Sequence, residues 1–276
     1  MSRNLKITLA YDGSEFHGWQ VQPGCPTVQG VLADCLGRIT CESVLPQGSG
    51  RTDAGVHALA QVASVQIESP IPERNLIVAL NDILPAAVRV MGVERVEDHF
   101  HARHSATAKT YRYRIYRGEI CPPFLARYVY HDPYPMDEAA MIRASEHIVG
   151  TFDFASFAAS DPERCARLAA SHGSGAVPSG EDEDATDALS RKQGNVRTVN
   201  SSLWARTEDE FSYTIRGNGF LHHMVRNLVG TFLQVGKGSL QAEDVPAILA
   251  AGNRSAAGPT APACGLYLVS VEYGKL

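Results

Sequence analysis

The sequence predicts an α/β protein of the α+β kind, with two domains whose mixed, largely antiparallel sheets are flanked by helices. Three observations lead there. Segments with the two-residue period of strands alternate with segments of helical period, and this rhythm runs twice through the chain. A length of 276 residues at 44% hydrophobic content suits one large or two ordinary cores. The boundary is expected near Ala106, giving domains of residues 1–105 and 106–276.

Leu5 to Tyr11 sets Ile7, Leu9 and Tyr11 against Lys6, Thr8 and Ala10, the pattern of a half-buried strand that ends in a turn at Asp12-Gly13. After Pro26, Val28, Val31, Leu32, Cys35, Leu36 and Ile39 fall on one helix face, with Thr27 as N-cap. Strands are expected at Gln61 to Ile67 and Val88 to Arg95, around a helix from Arg74 to Leu84 that presents Leu76, Leu80, Ile83 and Leu84. The second half predicts a strand at Lys109 to Tyr116, a helix at Asp137 to Val149 ended by Gly150, and a strand at Phe211 to Ile215. A helix follows from Leu221 to Val235, ended by Gly236, then a short helix at Ala242 to Ala250 and a last strand at Tyr267 to Tyr273. Ser160 to Gln193, rich in Gly, Ser, Ala and acids, has no apolar period with which to offset ordering entropy, and is expected to be a mobile insertion.

No apolar run reaches the roughly 20 residues that span a bilayer, and Met1 to Ala10 lacks a signal-peptide core, so a soluble cytoplasmic protein is expected. Cys25, Cys35, Cys41, Cys121, Cys165 and Cys264 form no CxxC pair and no grouping with His at zinc-ligand spacing; reduced thiols and no metal are expected. The net charge of −5 is uneven. Residues 161 to 191 carry −4 of it, whereas His101 to Gly118 holds Arg103, Lys109, Arg112, Arg114 and Arg117 with no acid, a patch that can attract phosphates locally.

Chemistry concentrates in three stretches. In Gly50 to His57 one carboxylate, Asp53, stands between Arg51 and His57 on a glycine-bounded turn. Asp-Ala-Gly can simply cap backbone N–H groups; beside cations the same carboxylate is kept in the charged form that a nucleophile or base needs. His57 either orients the site or satisfies a buried hydrogen bond. On a strand, Lys109, Tyr111, Tyr113 and Ile115 share one face while Thr110, Arg112, Arg114 and Tyr116 share the other. An aromatic face beside a basic one fits a splayed-out RNA base with its phosphates, and equally fits ordinary sheet packing of tyrosine. On the helix after Gly219, Leu221, Met224, Val225, Leu228 and Phe232 make the apolar stripe, leaving His222, Arg226 and Gly230 on a separate face. Arg226, set among apolar neighbours, requires an anion if buried, and Asp53 is available.

In these residues the chain resembles the tRNA pseudouridine synthase A family. The matching motifs are Tyr11-Asp12-Gly13 with Phe16, Gly18, Trp19 and Gln20; Thr27-Val28-Gln29-Gly30; Gly50 to Ala58; Phe100-His101-Ala102-Arg103; Lys109 to Tyr113; Gly150 to Phe154; and Met224 to Asn227. The resemblance implies the pseudouridine synthase fold and conversion of uridine to pseudouridine at positions 38, 39 and 40 of the tRNA anticodon arm, without cofactor, by a homodimer. It also implies Asp53 as the essential aspartate, Tyr111 as the ring stacked on the target base, Arg226 as the partner of the aspartate and Arg51 as an aid to base extrusion. Arg51, His57, Arg103, Lys109, Arg112 and Arg114 are the expected RNA contacts. The acidic stretch at 160–193 departs from the usually shorter connection in relatives. A non-catalytic tRNA-binding module, or a hydrolase built on Asp53 and His57, stands as the alternative.

Overall fold

The computed structural model describes residues 2–159 and 194–274; the acidic insertion expected at 160–193 falls outside them. In chain order its elements are β1 (Arg3–Tyr11), α1 (Val28–Thr40), β2 (Gln47–Gly48), β3 (His57–Ile67), α2 (Glu73–Ile83), β4 (Val88–Val96), β5 (Ala106–Tyr116), β6 (Tyr130–His131), α3 (Glu138–Glu146), β7 (Gly150–Asp153), β8 (Val196–Arg206), β9 (Glu210–Gly217), α4 (Met224–Gly236), α5 (Val245–Ala251) and β10 (Leu266–Tyr273). Two compact units share them. The first comprises Met1–Pro135, Asn200–Asn218 and Pro262–Leu276; the second comprises Met136–Val199 and Gly219–Ala261. The boundary expected at Ala106 does not divide them. β5, which starts there, hydrogen-bonds to β10 and β9 inside the first unit, so sheet pairing carries the chain past that point.

In the first unit the strand order is β4-β1-β3-β10-β5-β9-β8, with β2 beside β3 and β6 beside β5. β1 pairs antiparallel with both β3 and β4, and β5 pairs antiparallel with β10 and β9. The join between β3 and β10 is parallel and short, Tyr267 opposite His57 and Leu268 opposite Ala58. β1 alternates as expected: Leu5, Ile7, Leu9 and Tyr11 are buried while Lys6, Thr8 and Ala10 are partly open. Thr27 caps α1, its Oγ1 accepting from Gly30 N at 3.3 Å. Leu32 and Leu36 of α1 and Leu76 and Leu80 of α2 are fully buried, α1 packing on α2 and α2 on β4.

In the second unit α3 packs on α4, and β7 pairs antiparallel with Val196–Val199 of β8. Two expectations shift here. α4 begins at Met224 rather than Leu221 because His223 adopts a left-handed conformation, φ 58°, so His222 precedes the helix and shares no helical face with Arg226. α3 ends at Glu146, and Gly150 opens β7 instead of closing the helix.

Candidate active site

Asp53 lies on the eight-residue connection between β2 and β3, on a turn closed by Val56 N donating to Asp53 O at 3.1 Å. The loop after β1 clamps this turn. Trp19 N donates to Thr52 O at 3.0 Å and Gly55 N to Phe16 O at 3.3 Å. Gly18 sits at φ +88°, where a Cβ would lie 2.4 Å from Thr52 O, so only glycine permits this approach. The carboxylate is thus carried by backbone fixed on both sides, itself half-buried.

Tyr111 of β5 is opposite Leu268 of β10, which in turn is opposite Ala58 just beyond the turn. Its ring is buried, 8% exposed. Burial first, and then the nearby Tyr11 phenol and Asp53 carboxylate, raise the Tyr111 pKa, so the phenol stays neutral throughout the physiological range. Tyr11, also buried, is pushed up to about 12, chiefly by desolvation, while its hydroxyl pairs with Thr52 Oγ1 at 2.8 Å. Lys109, half-buried, donates from Nζ to the Ser49 carbonyl at the entrance of the Asp53 loop, so its ammonium is built into the loop. Asp53, Tyr111 and Lys109 therefore belong to one neighbourhood of the first unit.

His57 is enclosed by the fold. It is 2% exposed: Nδ1 accepts from Gly13 N at 3.1 Å, Nε2 faces Arg127 O at 3.1 Å, and the ring stacks on Tyr267 with centroids 4.8 Å apart. A ring enclosed in this way supports the loop from inside. The aromatic face expected on β5 is likewise core at Tyr113, which is fully buried with its hydroxyl donating to Pro262 O at 2.9 Å.

The basic patch is also less basic than its sequence suggests. Arg114 holds Glu210 of β9 in a two-pronged pair, Nε to Oε2 at 2.9 Å, and its guanidinium lies 5.7 Å from the centre of the Tyr267 ring. Arg117 lies 3.8 Å from the buried Asp132 carboxylate. Arg51, Arg103 and Arg112 are exposed, and Arg112 makes no ion pair among the described residues.

Arg226, in the second unit, is half-buried on the first turn of α4. Its Nε donates to Ala261 O at 2.8 Å, and Ala261 N donates back to Arg226 O at 3.1 Å. Next to it the fully buried Asn227 accepts from Thr260 Oγ1 at 2.7 Å and Arg254 Nη2 at 3.0 Å, tying the segment after α5 to the start of α4. Backbone constraint thus surrounds Arg226 as it does Asp53.

Sequence reasoning missed Gln61, which is 0% exposed. The available signal was its register: Gln61 shares the inward side of β3 with Ala63, Val65 and Ile67, where an amide must find internal partners.

Comparison with known proteins places these features in context. A family model described as tRNA pseudouridine synthase matches residues 182–274. A tRNA pseudouridine synthase A from Solibacter usitatus is 47% identical over 272 residues, covering 98% of this chain and 100% of that protein. The enzymes of that name from Moorella thermoacetica and Caldicellulosiruptor saccharolyticus are 42% and 38% identical, each over 98% of this chain and 99% and 100% of their own. With the signature turn, the strand carrying Lys109 and Tyr111, and near full-length identity all in agreement, the chain belongs to the tRNA pseudouridine synthase A family.

Proposed function

We propose that this protein converts uridine to pseudouridine in tRNA at positions 38, 39 and 40 of the anticodon arm, with Asp53 as the essential carboxylate. Family membership supports the reaction, and the clamped Asp53 turn within electrostatic reach of the buried Tyr111 phenol is the observation that carries the site. A homodimer, a cytoplasmic location and catalysis without cofactor belong to the same proposal. Among the described residues no helix is long and apolar enough to cross a membrane.

The reaction breaks the bond from ribose C1′ to N1, turns the uracil, and joins C1′ to C5; a proton then leaves C5 and N1 gains one, so redox state is unchanged. The target must first leave its stack, at a cost of a few kcal/mol that is smallest in a loop or at a helix end. Asp53 assists cleavage by attack at C1′ or C6, or by removing the 2′ proton. The raised pKa of Tyr111 supports contact with the base and hydrogen-bond donation over proton abstraction, since a general base works best with a pKa near the operating pH. Arg226 is proposed as the guanidinium that pairs with the carboxylate, and Arg51 as the aid to base extrusion. Exposed Arg103 and Arg112 are proposed to meet phosphates.

The test is pseudouridine mapping of tRNA from cells lacking this protein, complemented with wild-type or Asp53→Asn enzyme. Loss at positions 38–40, restored only by the wild type, is expected, with the variant retaining tRNA binding. Turnover by Asp53→Asn in tritium release removes Asp53 from the chemistry, and unaltered maps overturn the substrate assignment.

A further inference from the structure

Beneath the Asp53 loop lies a buried polar chain that the reaction as described does not use. Gln61, fully buried on β3, is its hub. Its Oε1 accepts from Ser49 Oγ at 2.6 Å and Val62 N at 3.1 Å; its Nε2 donates to Gly50 O at 3.0 Å and lies 3.4 Å from Tyr11 Oη. The Tyr11 hydroxyl continues to Thr52 Oγ1 at 2.8 Å. Ser49, Thr52 and Tyr11 are all buried. One amide therefore reaches residues 49 and 50 directly and 52 through a single hydroxyl, the stretch that delivers Asp53.

The arrangement costs more than packing requires. An apolar residue at this inward position of β3 would avoid desolvating an amide, and buried amides are retained only with their hydrogen bonds satisfied. Apart from the neighbouring Val62 N–H, every partner of the Gln61 amide lies on the loop or is the hydroxyl that holds it. We propose that Gln61 is a positioning residue for the isomerisation, fixing the Asp53 turn from below through Gly50, Ser49 and the Tyr11–Thr52 link. This inference rests on the reading of Asp53 as the essential carboxylate. Gln61 touches no reacting atom; it sets where the carboxylate stands relative to the ribose.

A displacement of about 1 Å at a reacting group can cost on the order of 10²-fold in rate. Gln61→Met keeps volume while removing both ends of the amide, and Tyr11→Phe removes a single oxygen from the second link. Kinetics on the full-length variants, normalised to stoichiometric tRNA binding, are expected to show kcat reduced about 30- to 100-fold in Gln61→Met with KM within about twofold of wild type. In Tyr11→Phe kcat is expected to fall about 3- to 10-fold, and the double variant to lose less than the product of the single effects because both act on one turn. A rise in KM at unchanged kcat, or kcat within twofold of wild type in both variants while Asp53→Asn is inactive, overturns the inference alone. Should Gln61→Met prove insoluble, unchanged kcat in Tyr11→Phe overturns it. Activity in Asp53→Asn instead overturns the underlying reading of the site.

Discussion

The imidazole of His57 accepts a backbone N–H at Nδ1 while Nε2 faces a carbonyl, an arrangement that suits the neutral ring with its proton on Nε2. Burial lowers its pKa, and this outweighs the Asp12 carboxylate 3.2 Å away, which acts in the opposite direction. The sign for stability follows by linkage. Below the ordinary value of 6.5 the unfolded chain takes up a proton that the folded ring resists, so this contribution is present above that pH and lost as pH falls. Melting temperature is expected to drop between pH 7.5 and 5.5, and more steeply in the wild type than in His57→Gln; equal slopes exclude His57 as the cause. Asp12, its pKa lowered by hydrogen bonds from Ser14 and Tyr128 that together outweigh its burial, adds a loss only as pH falls below 3.8. Asp53 was legible as a candidate site residue because charge, imidazole and glycine are crowded into one turn, all local properties. That His57 faces inward was not, since its enclosure is made by Tyr128, Tyr267 and Arg127 from distant parts of the chain.

At the scale of the element, α4 presents a test in which two local rules oppose each other. Gly230 is interior to this helix, where alanine is ordinarily favoured by about 1 kcal/mol. Here a Cβ would lie 1.6 Å from Pro259 O, so the segment after α5 must shift before any side chain fits. Gly230→Ala is therefore expected to destabilise by about 1–3 kcal/mol, read as a lower denaturant midpoint; a more stable variant would show that the Pro259 contact yields freely. Elements whose faces follow a clear period, β1, α1, α2 and β9, were legible to within a few residues because burial imposes that period. β8 was not, since only Val199 and Ser202 along it are buried and the rest of its side chains carry no alternation. β2 and β6, two residues each, form through pairing with β3 and β5 and have no period of their own. The three-residue delay in α4 comes from the backbone of His223, which side-chain spacing does not report.

At the scale of the whole molecule, a net charge of −5 must be reconciled with a polyanionic partner, and the placement of counter-charges decides how. Arg112 and Arg114 are two residues apart on β5 but differ in availability: Glu210 neutralises Arg114, whereas Arg112 is exposed without an ion pair among the described residues. Arg112→Ala is expected to weaken tRNA binding and reduce the slope of log affinity against log salt by about 1, with Arg114→Ala leaving that slope nearly unchanged. Equal effects from both, measured by filter binding across a salt series, refute this division of roles. The sequence by itself determined the strand and helix rhythm, the family, and Asp53 and Tyr111 as residues to examine, because periodicity and motif are written within short windows. Only tertiary structure decided that two compact units are assembled from interleaved stretches, that Glu210 cancels Arg114, and that Gln61 lies beneath the Asp53 turn. Each depends on pairings between residues far apart in the chain, and which partners meet is fixed by strand order and burial, properties that no short window of sequence contains.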